Sequence, residues 1–457
     1  MSTFKITFAG GAQMPTGSNF LVEFGGKRIL IDCGLIQGEK YMLPANRDPF
    51  AYDPTSIDML IITHGHLDHV GRIPMLVKSG FKGTIVSTEP TREIGELIML
   101  DSMGVLGKEA SHENVEPLYE EKDVFDAVRL WTTTLEYEKP FTLSTNDGDA
   151  TITLHDAGHI LGSAIVEIGY KGKRLAFTGD LGNTPSPLMK DTTLLHGIDY
   201  LVTESVYGDR NHKDKDKRVE IVKEAVVSTV KKGGTILIPA FSIERTQELL
   251  LAFNELVESG QMPQVPVYLD SPLGINITKI YKKYEHWFNE NIEKIIKSGD
   301  DIFAFKGLKQ TPSPDESKAI SNDTGPKIII AGSGMSNGGR IVHHEARYLP
   351  DRNSTIIIVG YQAVNTLGRR IVDGAKEVFI HNQPVQIRAR VVNIHGFSAH
   401  KDSDNLFAFA GSSQDTLKKV FVVLGEPKSA YHLAQRIHEG YGIDVVVPEK
   451  GDVVELE

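Results

Sequence analysis

The stretch Thr63-His64-Gly65-His66-Leu67-Asp68-His69 decides how this chain is read. Three histidines and one carboxylate fall within six positions, directly after the apolar run Ile57-Asp58-Met59-Leu60-Ile61-Ile62. Imidazole nitrogen and carboxylate oxygen are the natural donors for zinc and related divalent ions. Residues two apart at a strand end point the same way, so His64 and His66 are placed to grip one ion. Asp68 and His69 follow where the chain turns into Val70-Gly71-Arg72-Ile73-Pro74, placed for a second. The competing reading is a solvated histidine-rich turn, which a chance cluster would seldom place so squarely at a strand end.

Composition sets the outer bounds. With 457 residues, 40% of them hydrophobic, the chain is long enough for two or three domains with filled cores. Its apolar runs are strand-sized, well short of the roughly 20 residues of a membrane span. Met1-Ser2-Thr3-Phe4-Lys5-Ile6 reads as the start of a first strand and not as a signal peptide. Cys33 is the single cysteine, which rules out an internal disulfide and agrees with a reducing cytoplasm. Placed at a strand end, it reads as a small buried apolar residue and not as a nucleophile. Sixty acidic against 49 basic residues give a net charge of −11, which argues against non-specific coating of nucleic acid. That argument weakens for a metalloenzyme, whose bound dications make the cleft locally positive.

Outward from the heptapeptide, the first half reads as short strands ending in polar loops: 4–8, 19–24, 28–32, 57–63, 83–87, 151–154, 165–170, 174–178 and 200–203. Gly25-Gly26 forms a hairpin turn, and a helix spans 91–106. After Tyr207 the character changes. A polar, charged stretch is followed by helices alternating with strands at 235–239, 265–269, 327–331 and 355–360, the pattern of a parallel doubly wound unit. Thr311–Lys327 reads as a surface loop. First-half strand character returns from about Val385, with a final helix over 429–440. The chain therefore reads as one domain (1–208 and 386–457) interrupted by another (209–385). Further metal ligands must come from distant loops, and His159 and Asp180 each end a strand-to-loop passage. A carboxylate with two oxygens can bridge two ions about 3.5–4 Å apart, the spacing suited to phosphate-ester hydrolysis.

Asp32, the His64-x-His66-x-Asp68-His69 run, His159 and Asp180 together resemble the motif series of the metallo-β-lactamase superfamily. Four further stretches resemble its β-CASP nucleases: Thr203-Glu204-Ser205-Val206-Tyr207-Gly208-Asp209-Arg210, Ala331-Gly332-Ser333-Gly334-Met335-Ser336-Asn337-Gly338-Gly339-Arg340, Gly396-Phe397-Ser398-Ala399-His400 and Leu424-Gly425-Glu426-Pro427. The likeness covers essentially the whole chain and is nearest the RNA-processing branch, which includes the pre-mRNA 3′-end cleavage subunit and its prokaryotic relatives. It implies an αββα metallo-β-lactamase sandwich with an inserted doubly wound α/β domain. It also implies a cytoplasmic zinc-dependent ribonuclease in RNA processing or decay, acting through a metal-bridging hydroxide and leaving a 5′-phosphate and a 3′-hydroxyl. His64, His66 and His159 would hold the first zinc, Asp68 and His69 the second, and Asp180 would bridge them. Asp32 would orient a ligand, a support that metal-bound histidines usually require. Asp68 also counts among the catalytic groups with His400, the expected acid, and Glu204, which would orient it. In the inserted domain, Ser333, Gly334 and Arg340 of the glycine-rich turn, with Arg245 and Ser271, are the expected contacts to a single-stranded RNA backbone. DNA as substrate and a homodimer stay open; a membrane partner is not expected.

One position departs from the pattern. After Phe421-Val422-Val423 the RNA-cleaving members carry a histidine that completes the second zinc, and here the residue is Leu424. An apolar side chain cannot ligate, so the second site would be weaker, more open, or suited to manganese. The departure leaves two alternatives beside an active ribonuclease. One is a DNA-directed nuclease, since that branch also carries an apolar residue there; the other is a catalytically weakened RNA-binding relative. A small-molecule hydrolase shares the first-half motifs, whereas an inserted domain suits a polymeric substrate.

Overall fold

A computed structural model describes residues 3–38, 44–213, 215–363 and 365–457. Two compact units emerge, one formed by residues 1–211 with 399–457 and the other by 212–398.

The first unit contains two seven-stranded sheets. In one, Val453–Leu456, Phe4–Gly10, Asn19–Phe24 and Lys27–Ile31 run antiparallel to one another. The same sheet continues in parallel through Met59–Ile61, Thr84–Ser87 and Thr133–Thr134. The other repeats the plan: Phe141–Thr145, Gly148–Asp156, Ala164–Tyr170 and Lys173–Phe177 are antiparallel. Tyr200–Thr203, Lys419–Val422 and Asp444–Val446 then add in parallel. Phe8, Phe20, Val22, Ile31, Ile61, Val166, Phe177, Val202 and Phe421 form the core between the sheets. Helices Ser403–Gly411 and Pro427–Tyr441 bury Leu406, Phe409, Leu433 and Ile437 on the outside of the second sheet. This is the αββα sandwich.

Parallel strands share their carboxyl ends, and that places the chemistry. Asp32 follows Ile31, Thr63 and His64 follow Ile61, Asp180 follows Phe177, Glu204 follows Thr203, and Leu424 follows Val422. Loops there escape the hydrogen-bonding duty of the sheet and can present side chains. Gly34 shows how closely they pack: a Cβ there would lie 1.5 Å from the carbonyl oxygen of Asp68.

The second unit has a six-stranded, fully parallel sheet. Its order is Leu308–Gln310, Val267–Asp270, Lys327–Gly332, Thr235–Ala240, Thr355–Ile358 and Arg390–Asn393. Arg390–Asn393 pairs in register with Thr355–Ile358. Residues 386–398, expected with the first domain, therefore pack with the second, and the chain returns at Ala399. Strand character alone does not say which sheet a strand joins. The surface loop expected over 311–327 is also corrected, because it carries the helix Pro314–Ala319 and the 3-10 turn Ile320–Asn322. The Ser313-Pro314-Asp315-Glu316 run is a reciprocal capping box with Pro in the first turn, a helix start signal in its own right. Among the described residues no helix is long and apolar enough to cross a membrane.

Candidate metal centre

The turn after Met59–Ile61 is anchored from behind. Asp32, fully buried and at φ +59°, accepts the Thr63 N–H (2.8 Å), the Ser18 hydroxyl (2.9 Å) and His69 Nδ1 (2.7 Å). Thr63 Oγ1 lies 2.9 Å from Asp32 Oδ2 and 3.1 Å from His64 Nδ1. Asp32 thus fixes the ring of His69 directly, and Thr63 fixes that of His64. Thr63 and Ser18 do not stand out in the sequence as supports; the one clue was that Thr63 opens the heptapeptide.

His64, His66, His159 and Asp180 offer four ligand atoms, all within 4.8 Å of one another. His66 Nδ1 lies 3.0 Å from His64 Nε2 and 3.3 Å from His159 Nε2, separations that two donors about 2.0–2.1 Å from one tetrahedral ion would show. Burial holds all three imidazoles below their ordinary range, in the neutral form whose lone pair binds metal. Asp180 faces two ways. Its Oδ2 lies 3.4 Å from His64 Nε2 and 3.6 Å from His159 Nε2, while Oδ1 lies 3.5 Å from His69 Nε2. Burial opposes a charge on His69, but Asp180 and Asp32 outweigh it and push this ring well above its ordinary range, unlike the other three. Burial pushes the nearby Asp68 carboxyl up to about 6, against the pull of His69. The donor chemistry of His64, His66, His159 and Asp180 fits a divalent metal, whereas Asp68 and His69, expected to hold a second ion, join no ligand cluster among the described residues.

A second constellation adjoins it. Asp180, Glu204 and His400 converge on one another. His400 Nδ1 lies 3.3 Å from Glu204 Oε2 and 4.0 Å from Asp180 Oδ2. Burial opposes a charged ring, but Glu204, with Asp180 and Asp68, outweighs it and pushes His400 up to about 9. Glu204 is itself held by the Leu181 N–H at 2.6 Å. Leu424 has no part in either constellation. It is 1% exposed in the core between the sheets and donates its N–H to Gly11 O. Its φ is +48°, a region where histidine is enriched and leucine is rare.

Comparison with known proteins agrees with this geometry. Residues 15–207 match the metallo-beta-lactamase superfamily, 246–371 the Beta-Casp domain, and 384–448 the Zn-dependent metallo-hydrolase RNA specificity domain. The chain is 34% identical to Ribonuclease TTHA0252 of Thermus thermophilus, over 88% of this chain and 89% of that protein. The chain belongs to the β-CASP family of the metallo-β-lactamase superfamily. It is also 32% identical to the transcription termination factor FttA of Methanosarcina mazei, over 96% of this chain and 70% of that one. A crystal structure of a protein of unknown function from Enterococcus faecalis shares the fold, with TM-score 0.58, 13% identity, and coverage of 99% and 100%.

Within the inserted β-CASP unit, the residues expected to contact substrate are engaged elsewhere. Arg245 is 5% exposed and ion-paired with Glu248. Ser271 caps the helix Pro272–Lys283 by accepting the Gly274 N–H at 3.0 Å. Arg340 donates to Asp270 Oδ1 (2.8 Å), to the Thr311 carbonyl and to Pro312 O (2.9 Å). Gly334 lies against the Phe241 ring, and Ser333 Oγ accepts the Asn337 N–H at 3.2 Å. Asp270 organises this end of the sheet, accepting also from His344, Ser317 and Thr311. His343 stacks on His381 with ring centroids 4.6 Å apart.

Proposed function

We propose that this β-CASP protein is a metal-dependent ribonuclease that hydrolyses RNA phosphodiester bonds and leaves a 5′-phosphate and a 3′-hydroxyl. The observation that carries the reading is Asp180, whose two oxygens serve the four-donor cluster on one side and His69 on the other, with His400 within 4.0 Å. Divalent ions held by His64, His66, His159 and Asp180, and by Asp68, His69 and Asp180, would acidify a water into a nucleophile at neutral pH and neutralise charge on the phosphoryl oxygens. Zinc suits the first donor set; the second, with Leu424 in place of a further ligand, is the poorer site and accepts manganese more readily.

The chain's own groups handle the leaving oxygen. Glu204 favours the charged form of His400 and holds the ring through Nδ1. Its Nε2 is therefore the atom from which a proton passes to the 3′ oxygen as the P–O bond breaks. The match of residues 384–448 to an RNA specificity domain and the likeness to a named ribonuclease support RNA as the polymer. Leu424 favours one rival, a DNA-directed nuclease. Purified protein should cleave single-stranded RNA in preference to single-stranded DNA of the same sequence. Turnover of DNA alone would replace this reading with the rival.

A further inference from the structure

The loop that carries His400 is registered on the loop that carries Asp180, and one side chain locks the two together. Beyond Asp180 the segment Leu181–Thr184 runs as a central strip. The Leu181 N–H binds Glu204, and the Gly182 N–H donates to Ala157 O (2.8 Å) in the His159 loop. On its other side the Asn183 N–H donates to Ala399 O (2.7 Å) and the Lys401 N–H to Leu181 O (2.8 Å), with Gly182 opposite His400 in antiparallel register. Gly182 has no room for a side chain, because a Cβ would lie 1.8 Å from Gly158 O. The strip is thus wedged between the His159 loop and the His400 loop.

Lys401 is 4% exposed, an unusual place for a lysine. Its Nζ donates to Gly182 O (2.8 Å) and to Thr184 Oγ1 (3.0 Å), both on that strip. Beyond His400 the segment is also tied to a different loop, where Asp402 pairs with Tyr207 and the Ser403 N–H donates to Arg210 O (3.1 Å). Its register against the Asp180 strip therefore rests on the pairs around Ala399 and Lys401 and on the Lys401 side chain. The ammonium adds two charge-assisted bonds to the next residues of the strip, which fix both register and distance. We propose that Lys401 is a positioning residue for the leaving-group acid, holding His400 at proton-transfer distance by clamping its loop to Gly182 and Thr184. The proposal rests on the assignment of His400 as that acid.

The test separates positioning of an acid from general support. A natural RNA linkage expels a poor alkoxide and needs the proton, whereas a p-nitrophenyl phosphodiester expels a stable phenolate and does not. Lys401→Met keeps an unbranched side chain, one atom shorter, and removes its donors. It should lower kcat on single-stranded RNA by roughly 10- to 100-fold, the range expected for a displaced acid, with KM changed less than about threefold. Its rate on bis(p-nitrophenyl) phosphate should stay within about threefold of wild type, and its metal content should be unchanged. Thr184→Val, which removes one acceptor, should show the same split at smaller size and keeps the question answerable if Lys401→Met fails to fold. Equal losses on both substrates, loss of metal, or unchanged RNA cleavage would each overturn the positioning role. His400→Ala serves as the control: if it lacks the leaving-group split, the acid assignment falls, and this proposal falls with it. If His400→Ala shows the split and Lys401→Met does not, only the proposal fails.

Discussion

The two oxygens of Asp180 face different surroundings. On one side His64, His66 and His159 bring three neutral imidazoles from two loops to converge with Asp180 Oδ2. On the other, His69 faces Oδ1 at 3.5 Å, and Leu424, where the proposed second site would want a further ligand, is folded into the core. In the proposed two-ion reading the asymmetry comes down to one residue, Leu424, within an intact framework. Asp32 still fixes His69, and the backbone at 424 still has the left-handed conformation that histidine tolerates.

The largest effect is expected where the halves meet. Asp180→Ala removes a donor from both, and RNA cleavage should fall by at least about a thousandfold, since charge stabilisation and nucleophile generation are lost together. A loss confined to tenfold would mean the halves work independently. Next comes His400→Ala, expected to cost roughly 10²- to 10⁴-fold in kcat as a general acid does, with metal content unchanged. Loss of metal in that variant would move His400 from the acid's role to a ligand's. Leu424→His, measured by metal analysis, should raise bound zinc towards two per chain and so erase the asymmetry; unchanged stoichiometry would mean that Asp68, His69 and Asp180 already suffice.

The smallest expected effect lies away from the metal centre and concerns stability. Burial raises the Asp270 carboxyl, but His344, Ser317, Arg340 and Thr311 together outweigh it and hold the group at about 2. A depressed carboxyl stabilises the fold above its ordinary pKa and loses that contribution as pH falls towards the folded value. Asp270→Asn should therefore cost about 2 kcal/mol near neutrality, a difference that shrinks between about pH 4 and pH 2 in denaturant titrations. A pH-independent difference would mean that the charge of Asp270 is not what holds Arg340.

How far the sequence could be read follows the same divide. The convergence of His64, His66, His159 and Asp180 was legible because two of the donors crowd into one turn and the other two are marked by their strand ends. The contacts in the inserted unit were not, because what occupies Arg340, Arg245 and Ser271 lies elsewhere: Asp270 on another strand, Glu248 one helical turn on, the Gly274 N–H at a helix start. Arginines and serines near a glycine-rich turn look the same whether they await a phosphate or brace a loop. Lys401 is hidden for a related reason, since an isolated lysine beside a histidine gives no sign of being buried. The domain edge at Ala399 was hidden because Arg390–Asn393 has strand character whichever sheet it joins.

The most direct test is cleavage of end-labelled single-stranded RNA before chelation, after it, and after zinc or manganese is restored, with the new ends identified. The expected result is loss of cleavage on chelation, recovery with metal, and products carrying a 5′-phosphate and a 3′-hydroxyl. Cleavage indifferent to chelation, or fragments ending in a 2′,3′-cyclic phosphate, would contradict it.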